Sequence, residues 1–340
     1  MTKKYVLAAI CLVTMAGCNN NEFENETSLA SGETPIELKT GVDTRAAISN
    51  GDVVTATIAL IAKEAPEPTA AEWNALVPIT TNTLGDGGTF ANYETDAANV
   101  SSGTFTASAT AQSVGFSVPL YYNKASNTRA YMVGVAPAGT LSSGNGKVTF
   151  PSVDGLQDVL YASTIDKGTV ETAAANEKFF TFNHQTGQVR FYIQKEVGMS
   201  ADSVVTVQGV TLLNVGLPES ITLGDSVITY QDKGEFALPG INSSAAATEA
   251  GIDVGSPVMI RPMASMNINI TISIKGVSKT YSNVPVTFEG TEGGTGITKG
   301  YSSLVTVTVK RKVNTTESQI DVKAVVAPWK TGNTGKVDLD

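Results

Sequence analysis

Cysteine is nearly absent from this 340-residue chain, which has only Cys11 and Cys18. Cys11 sits in a leader segment and Cys18 directly after it, so the folded body is expected to hold no disulfide, thiol nucleophile or thiolate metal ligand. Histidine is scarcer still. His184 is the only one, so a catalytic triad or an imidazole-based metal site would rest on a single residue. Placed after a Phe-rich strand, it reads as a packed or hydrogen-bonded structural side chain. No apolar run reaches the ~20 residues a membrane span requires. Tryptophan is limited to Trp73 and Trp329, and Tyr121-Tyr122 is the only adjacent tyrosine pair, which leaves little for a flat glycan platform. Positive charge is in the minority, with 23 Lys and Arg against 32 Asp and Glu for a formal charge of −9. Such a surface argues against nucleic acid and against adhesion to anionic lipid. Gly290-Thr291-Glu292-Gly293-Gly294-Thr295-Gly296 lacks the Gly-Lys-Ser/Thr ending of a phosphate loop, and Asp52, Asp86 and Asp96 lack the spacing of a calcium loop. No carboxylate pair stands out as a general acid and base. The inventory predicts no catalytic residue, no metal and no cofactor.

What is present begins with Lys3 and Lys4, an apolar run from Tyr5 to Met15, and then Met15-Ala16-Gly17-Cys18. This is the charged, apolar, small-residue order of a secretory signal. Because Cys follows the cut, the site reads as a lipobox, with Met where Leu is usual at its first position. Acylation of Cys18, by palmitate among other chains, would tether the chain to a membrane leaflet without a spanning helix. Loss of residues 1–17 removes Lys3 and Lys4 and takes the formal charge from −9 to −11. Residues 18–35 are polar and acidic and read as a flexible tether. Within them, Glu22, Glu24 and Glu26 resemble the surface-export signals of lipoproteins from anaerobic Gram-negative bacteria.

Past the tether, Ile36, Leu38, Thr40, Val42 and Thr44 alternate without a break against Glu37, Lys39, Gly41, Asp43 and Arg45. One face of an extended strand is then apolar or β-branched and the other polar. The pattern suits a strand lying in a half-buried groove, and equally the ordinary first strand of a sandwich. The same period of two recurs at Val54 to Leu60, Tyr131 to Val135, Val189 to Ile193, Ile268 to Ile274, Val284 to Phe288, Val305 to Val309 and Ile320 to Val326. Many short alternating runs between Gly, Asn, Ser and Pro clusters predict an all-β chain of β-sandwiches. Length predicts two domains, 36–175 and 176–340, divided at the Ala/Asn-rich stretch near Asn176. Pro66 to Leu76 and Ala245 to Gly251 are expected to hold a turn or two of helix. Gly85-Asp86-Gly87-Gly88 and Gly290 to Gly300 read as long hairpin loops. Asp202-Ser203-Val204 and Asp225-Ser226-Val227 match the three-residue O-glycosylation acceptor pattern of the same bacterial group.

Several stretches resemble the fimbrillin family, the lipoprotein pilins of type V pili. They are Thr44-Arg45-Ala46; Gln157-Asp158-Val159-Leu160-Tyr161-Ala162; Phe180-Thr181-Phe182-Asn183-His184 leading to Val189-Arg190-Phe191; Lys299-Gly300-Tyr301; and Trp329 with Gly332. The resemblance implies two tandem transthyretin-like sandwiches, export as a lipoprotein to the outer membrane and cell surface, and assembly into a fimbrium by strand exchange. It implies that an Arg-specific protease cuts between Arg45 and Ala46, expelling Ile36, Leu38, Thr40, Val42 and Thr44 with their strand. A neighbouring pilin subunit then fills the groove. Lys336-Val337-Asp338-Leu339-Asp340 has two apolar positions to donate, which suits a tip or accessory subunit, whereas a donor that included Ile320 to Val326 would suit a stalk. A head-to-tail exchange does not close, so it grows a filament.

The expected function is therefore a non-enzymatic, adhesive fimbrial subunit whose partners are other pilins, the protease and a surface receptor. The alternative is a glycan-binding β-sandwich lipoprotein at the cell surface.

Overall fold

Alternating β-branched and polar residues cannot gather on one side of a helix, but they do line one side of a strand. The computed structural model describes residues 35–42, 51–77, 98–176, 178–199, 203–289, 296–311 and 318–328. Over these the chain is all-β apart from one helix, α1 (Ala70–Asn74), and one 3₁₀ turn at Ala173–Ala175. In chain order the strands are β1 (Lys39–Val42), β2 (Val53–Lys63), β3 (Ala98–Thr106), β4 (Gln112–Ser113), β5 (Gly115–Phe116), β6 (Arg129–Ala136), β7 (Thr140–Ser142), β8 (Lys147–Thr149) and β9 (Leu160–Asp166). The second half continues with β10 (Phe180–His184), β11 (Gly187–Lys195), β12 (Val205–Thr222), β13 (Ile228–Ala237), β14 (Ile252–Ile260), β15 (Met266–Ile274), β16 (Val277–Glu289), β17 (Tyr301–Arg311) and β18 (Ser318–Pro328). Cys18, Thr44, Arg45, Ala46 and the Gly85–Gly88 loop lie outside the described residues.

The first sheet runs β4-β1-β10-β9-β6-β2-β3-β5. Its two ends are a single stretch of chain, because only Val114 separates β4 from β5 and the Val114 N–H donates to the Leu38 carbonyl at 2.9 Å. The sheet thus closes on itself, and closure removes the unpaired edges that an open sheet would present. Ile58, Leu60, Met132, Leu160, Phe180 and Phe182 are among the side chains that fill its interior. The second sheet runs β14-β11-β17-β18-β16-β15-β12-β8-β7, with β13 added on β12. It wraps a separate core of Val189, Ile193, Leu212, Ile268, Ile272 and Val305 with their neighbours.

A third cluster joins the two. The opposite faces of β2 and β6, carrying Ala59, Tyr131, Val133 and Val135, pack with Trp73 of α1, Val148 of β8 and Ile221 and Leu223 at the end of β12. β6 is accordingly buried on both faces, unlike the half-exposed strand that its alternation suggests. Val148 is placed by the β7–β8 hairpin, which leaves the first half of the chain to pair with Ser220–Thr222 of β12. α1 starts at a capping box, with Thr69 and Glu72 each bonding the other's backbone N–H, the device its sequence calls for.

Three expectations differ from the fold. Asn176 does not divide the sheets, since β10 pairs with β1 and β9 and the changeover falls at Gln185-Thr186. The Ala/Asn-rich stretch is a loop tied back to the first sheet, with the Asn176 side-chain amide donating to the Asp166 carbonyl at 3.1 Å. Ala245 to Gly251 is not helical. Ala247 is buried in the second core and donates its N–H to Val205, so tertiary pairing overrides alanine's helical preference. The strands on either side of Gly290 to Gly300 are not hairpin partners, because β18 lies between β16 and β17 and pairs with both; residues 290–295 themselves lie outside the described residues.

Arg129 and Asp166 link β6 to β9, with the guanidinium Nε and Nη2 donating to one carboxylate oxygen at 2.9 and 2.5 Å. Burial pushes the Asp166 carboxyl up, but the Arg129 bonds and the Gly168 N–H outweigh it and hold it below the usual range. Bonds from Lys63 and Thr69 lower Glu72 to about 2. For both groups the folded value is depressed, so their stabilisation is present above the ordinary carboxylate range and is lost as pH falls through the folded values. Arg129→Met should lower stability at neutral pH by about 0.5–1 kcal/mol, the scale of a solvent-screened pair. In urea titrations from pH 7 to pH 2, that deficit should shrink to nothing at the acid end. A second expectation concerns Gly134, where an added Cβ would meet Phe182 Cζ at 2.8 Å and Phe180 Cε2 at 3.2 Å. Both rings are fully buried, so Gly134→Ala should destabilise by ~1–3 kcal/mol, read as a fall of several degrees in the melting midpoint.

Candidate functional site: the groove of the first strand

β1 is the seam strand of the first sheet. It lies parallel to β10, with Thr40 opposite Phe180, Gly41 opposite Thr181 and Val42 opposite Phe182, and antiparallel to β4, with Lys39 opposite Ser113 and Thr40 opposite Gln112. Upstream of the ladder the chain stays extended, since the Ile36 N–H donates to the Leu120 carbonyl at 2.8 Å and Pro35 bridges Tyr121. Alternation then decides the side chains. Ile36, Leu38 and Thr40 are 3%, 2% and 0% exposed, whereas Glu37 and Lys39 face solvent. Val42 is described in its backbone alone, and Thr44 lies beyond the described residues. Two large aliphatic side chains buried in this way stabilise the closed form by roughly 3–6 kcal/mol.

The walls of the groove are aromatic and aliphatic. Phe182 stacks on Phe105 with ring centroids 5.3 Å apart and meets Phe180 edge-on at 5.7 Å. Leu120 and Tyr122 belong to the same core as Ile36 and Leu38. The Tyr122 hydroxyl donates to the Lys167 carbonyl at 3.1 Å, and burial, with Asp166 and Glu37 adding, pushes its pKa up to about 12. β10 is anchored at its far end, where His184 Nδ1 lies 2.7 Å from Asp158 Oδ2, both side chains 3% exposed. Burial raises the Asp158 carboxyl, and His184 pulls it back. His184 is thus the structural residue its context suggests.

The segment that leads into β10 covers a buried cation. Lys167 is 4% exposed, and its ammonium donates to the carbonyls of Asn176 at 3.2 Å and Lys178 at 3.0 Å. Neither Lys167 nor the β4–β5 seam stood out in the sequence. Lys167 shares the strand parity of the half-buried Ile165, and a lysine at an inward position is the one signal available. The seam strands β4 and β5 have two residues each, too few for any periodicity.

The aromatic candidates for a glycan platform lie inside, with Trp73 1% and Tyr121 and Tyr122 each 2% exposed, while Trp329 lies outside the described residues. Ser203 is buried, and Ser226 sits half-buried in the turn between β12 and β13. Among the described residues, no group of three His, Cys, Asp or Glu side chains is placed to hold a metal ion. No helix among them is long and apolar enough to cross a membrane.

The family model described as fimbrillin-like matches residues 44–329. No curated protein matches the chain. Among solved structures the chain is similar to a candidate cell adhesion protein from Bacteroides uniformis, with 16% identity and a TM-score of 0.50 over 88% of this chain and 98% of that one. It is also similar to a candidate cell adhesion protein from Bacteroides ovatus, with 12% identity and a TM-score of 0.46 over 88% and 99% of the two chains. A fimbrial protein from Bacteroides vulgatus shows 14% identity and a TM-score of 0.44 over 87% of this chain and all of that one. Because the family match runs from Thr44 to Trp329 and so takes in most of the chain, the protein belongs to the fimbrillin-like family.

Proposed function

We propose that the protein is a fimbrial subunit that supports adhesion, is anchored to the outer membrane through a lipid on Cys18, and assembles by exchange of its first strand. The observation that carries the reading is the placement of β1. It is short, it fills the only gap between β10 and β4 in a sheet that is otherwise closed, and it precedes the family match, which begins at Thr44. Loss of β1 would leave Phe180 to Phe182 with an unpaired edge beside an open core, the usual template for strand addition. A strand from a second subunit would restore both the ladder and the apolar contacts.

In this reading the Arg45–Ala46 bond is the switch. Before cleavage β1 is tethered to the body and returns to its groove at high effective concentration; after cleavage it competes on equal terms with a neighbour's strand. The body is two β-sandwich domains that change over at Gln185-Thr186. It takes no cofactor and catalyses no reaction. Its partners are other pilin subunits, an Arg-specific protease and a surface receptor.

Digestion of the full-length protein with an Arg-specific protease should release residues up to Arg45, expose Ala46 as a new N-terminus and yield polymers that run as ladders in sodium dodecyl sulfate. Arg45→Ala should stay monomeric, and persistence of an uncut monomer in the unaltered protein would overturn the reading. Mass spectrometry of material from intact cells should find acylated Cys18 on the uncut form and free Ala46 on the assembled one. Leu38→Ala should destabilise the uncut protein by ~2–5 kcal/mol, the range for a buried leucine whose site relaxes only in part. After digestion, that variant should polymerise faster than the unaltered protein.

A further inference from the structure

Two walls hold β1, and one residue outside the strand is bonded to both. Ile36 donates its N–H to the Leu120 carbonyl and Leu38 accepts the Val114 N–H. The two share a strand parity, so Leu120 to Tyr122 and the β4–β5 seam form one wall, and β10 forms the other. Lys167, directly after β9, is fixed to β6. Its N–H donates to the Ala130 carbonyl at 2.8 Å, and the Ala130 N–H donates to the Gly168 carbonyl at 2.8 Å. From that footing it reaches each wall. Its carbonyl accepts the Tyr122 hydroxyl at 3.1 Å, and its ammonium donates to the carbonyls of Asn176 and Lys178, just ahead of β10, at 3.2 and 3.0 Å. The Asn176 side chain secures the same stretch, donating to the Asp166 carbonyl and accepting the Lys178 N–H.

With β1 seated, its ladder and the bulk of Ile36 and Leu38 keep the walls apart. Once emptied, the slot is an apolar cavity whose walls gain contacts by closing on each other. An ammonium only 4% exposed resists that movement, because leaving its carbonyls would strand a buried charge. A methionine of similar length would fill the same space and hold neither wall.

We infer that Lys167 is a positioning residue for strand exchange, a brace that keeps the emptied groove open so that an incoming strand meets a slot already shaped for it. Preorganisation of this kind acts on the rate of association, since binding slows when the site must first rearrange. The lifetime of the seated strand is set instead by its own ladder and by its inward apolar side chains. The inference rests on the strand-exchange reading and adds what keeps the vacated groove receptive.

The test uses the full chain cut after Arg45 and freed of the released strand, with a fluorescent peptide of residues 34–44. Lys167→Met should slow association about five- to tenfold and leave dissociation within about twofold. Tyr122→Phe removes only the other arm and should slow association less, and Lys167→Arg should recover most of the loss. Should Lys167→Met fail to fold, Tyr122→Phe carries the same split by itself. Variants that speed dissociation and leave association untouched would make Lys167 part of the strand's seat and overturn the brace. A second measurement needs no peptide. The cut body contains no cysteine, so spin labels at Lys124→Cys and Lys178→Cys, both exposed, read the distance between the walls. The emptied body should keep the distance found in the uncut protein with Cys11 and Cys18 replaced by serine, and Lys167→Met should shorten it. Equal distances with and without Lys167 would overturn the brace. A peptide that fails to bind a body whose labels have stayed apart would overturn the exchange reading alone.

Discussion

A sheet that closes must satisfy the backbone groups of every strand at the seam, and in the first half of this protein that requirement falls on β1. The strand is short, with three residues paired to β10 and two to β4. It is held as much by Ile36 and Leu38, which lie ahead of the ladder, as by the ladder itself. Hydrogen bonding fixes its direction and register, and apolar burial supplies most of its stability. The division matters because a neighbouring chain could supply either contribution. The groove is therefore a place where covalent continuity and stability are separable.

The rest of the first half is far less replaceable. β2 and β6 are buried on both faces, one inside the closed sheet and the other against α1, β8 and the end of β12. Gly134 keeps the inner face of β6 low enough for Phe180 and Phe182 to lie across it, and His184 with Asp158 fixes the end of β10. The walls of the groove are thus rigid supports of the whole molecule, while the strand between them rests on few contacts. β18, by contrast, pairs with β17 over its full length.

Much of this was legible in the residues. Alternation located β1, β2, β11, β15, β17 and β18, because a period of two is imposed directly by backbone geometry. The inward set Ile36, Leu38 and Thr40 followed from the same rule, and so did the structural role of His184 from its Phe-rich context. Other features were not legible. The five-residue seam around Val114 is too short for a pattern, and its identity as a strand comes from Leu38 and Thr104 on either side of it. Ala245 to Ala247 carries a helical composition that burial of Ala247 overrides. Lys167 carries the sequence signal of a surface lysine, and only the loop folded over it makes it a buried cation.

By itself, the sequence determined the all-β class, the apolar and polar faces of the long strands, and the strand that precedes the family match. These follow from local chemistry, since each residue's preference and each strand's two faces are set within a few positions along the chain. Only the tertiary structure decided which strands are neighbours, where the first sheet closes, why β6 is buried on both sides, and that Lys167 is buried. Those outcomes depend on pairings between residues far apart in the chain, such as Thr40 with Phe180 and Thr149 with Ser220. No local window contains both partners of such a contact.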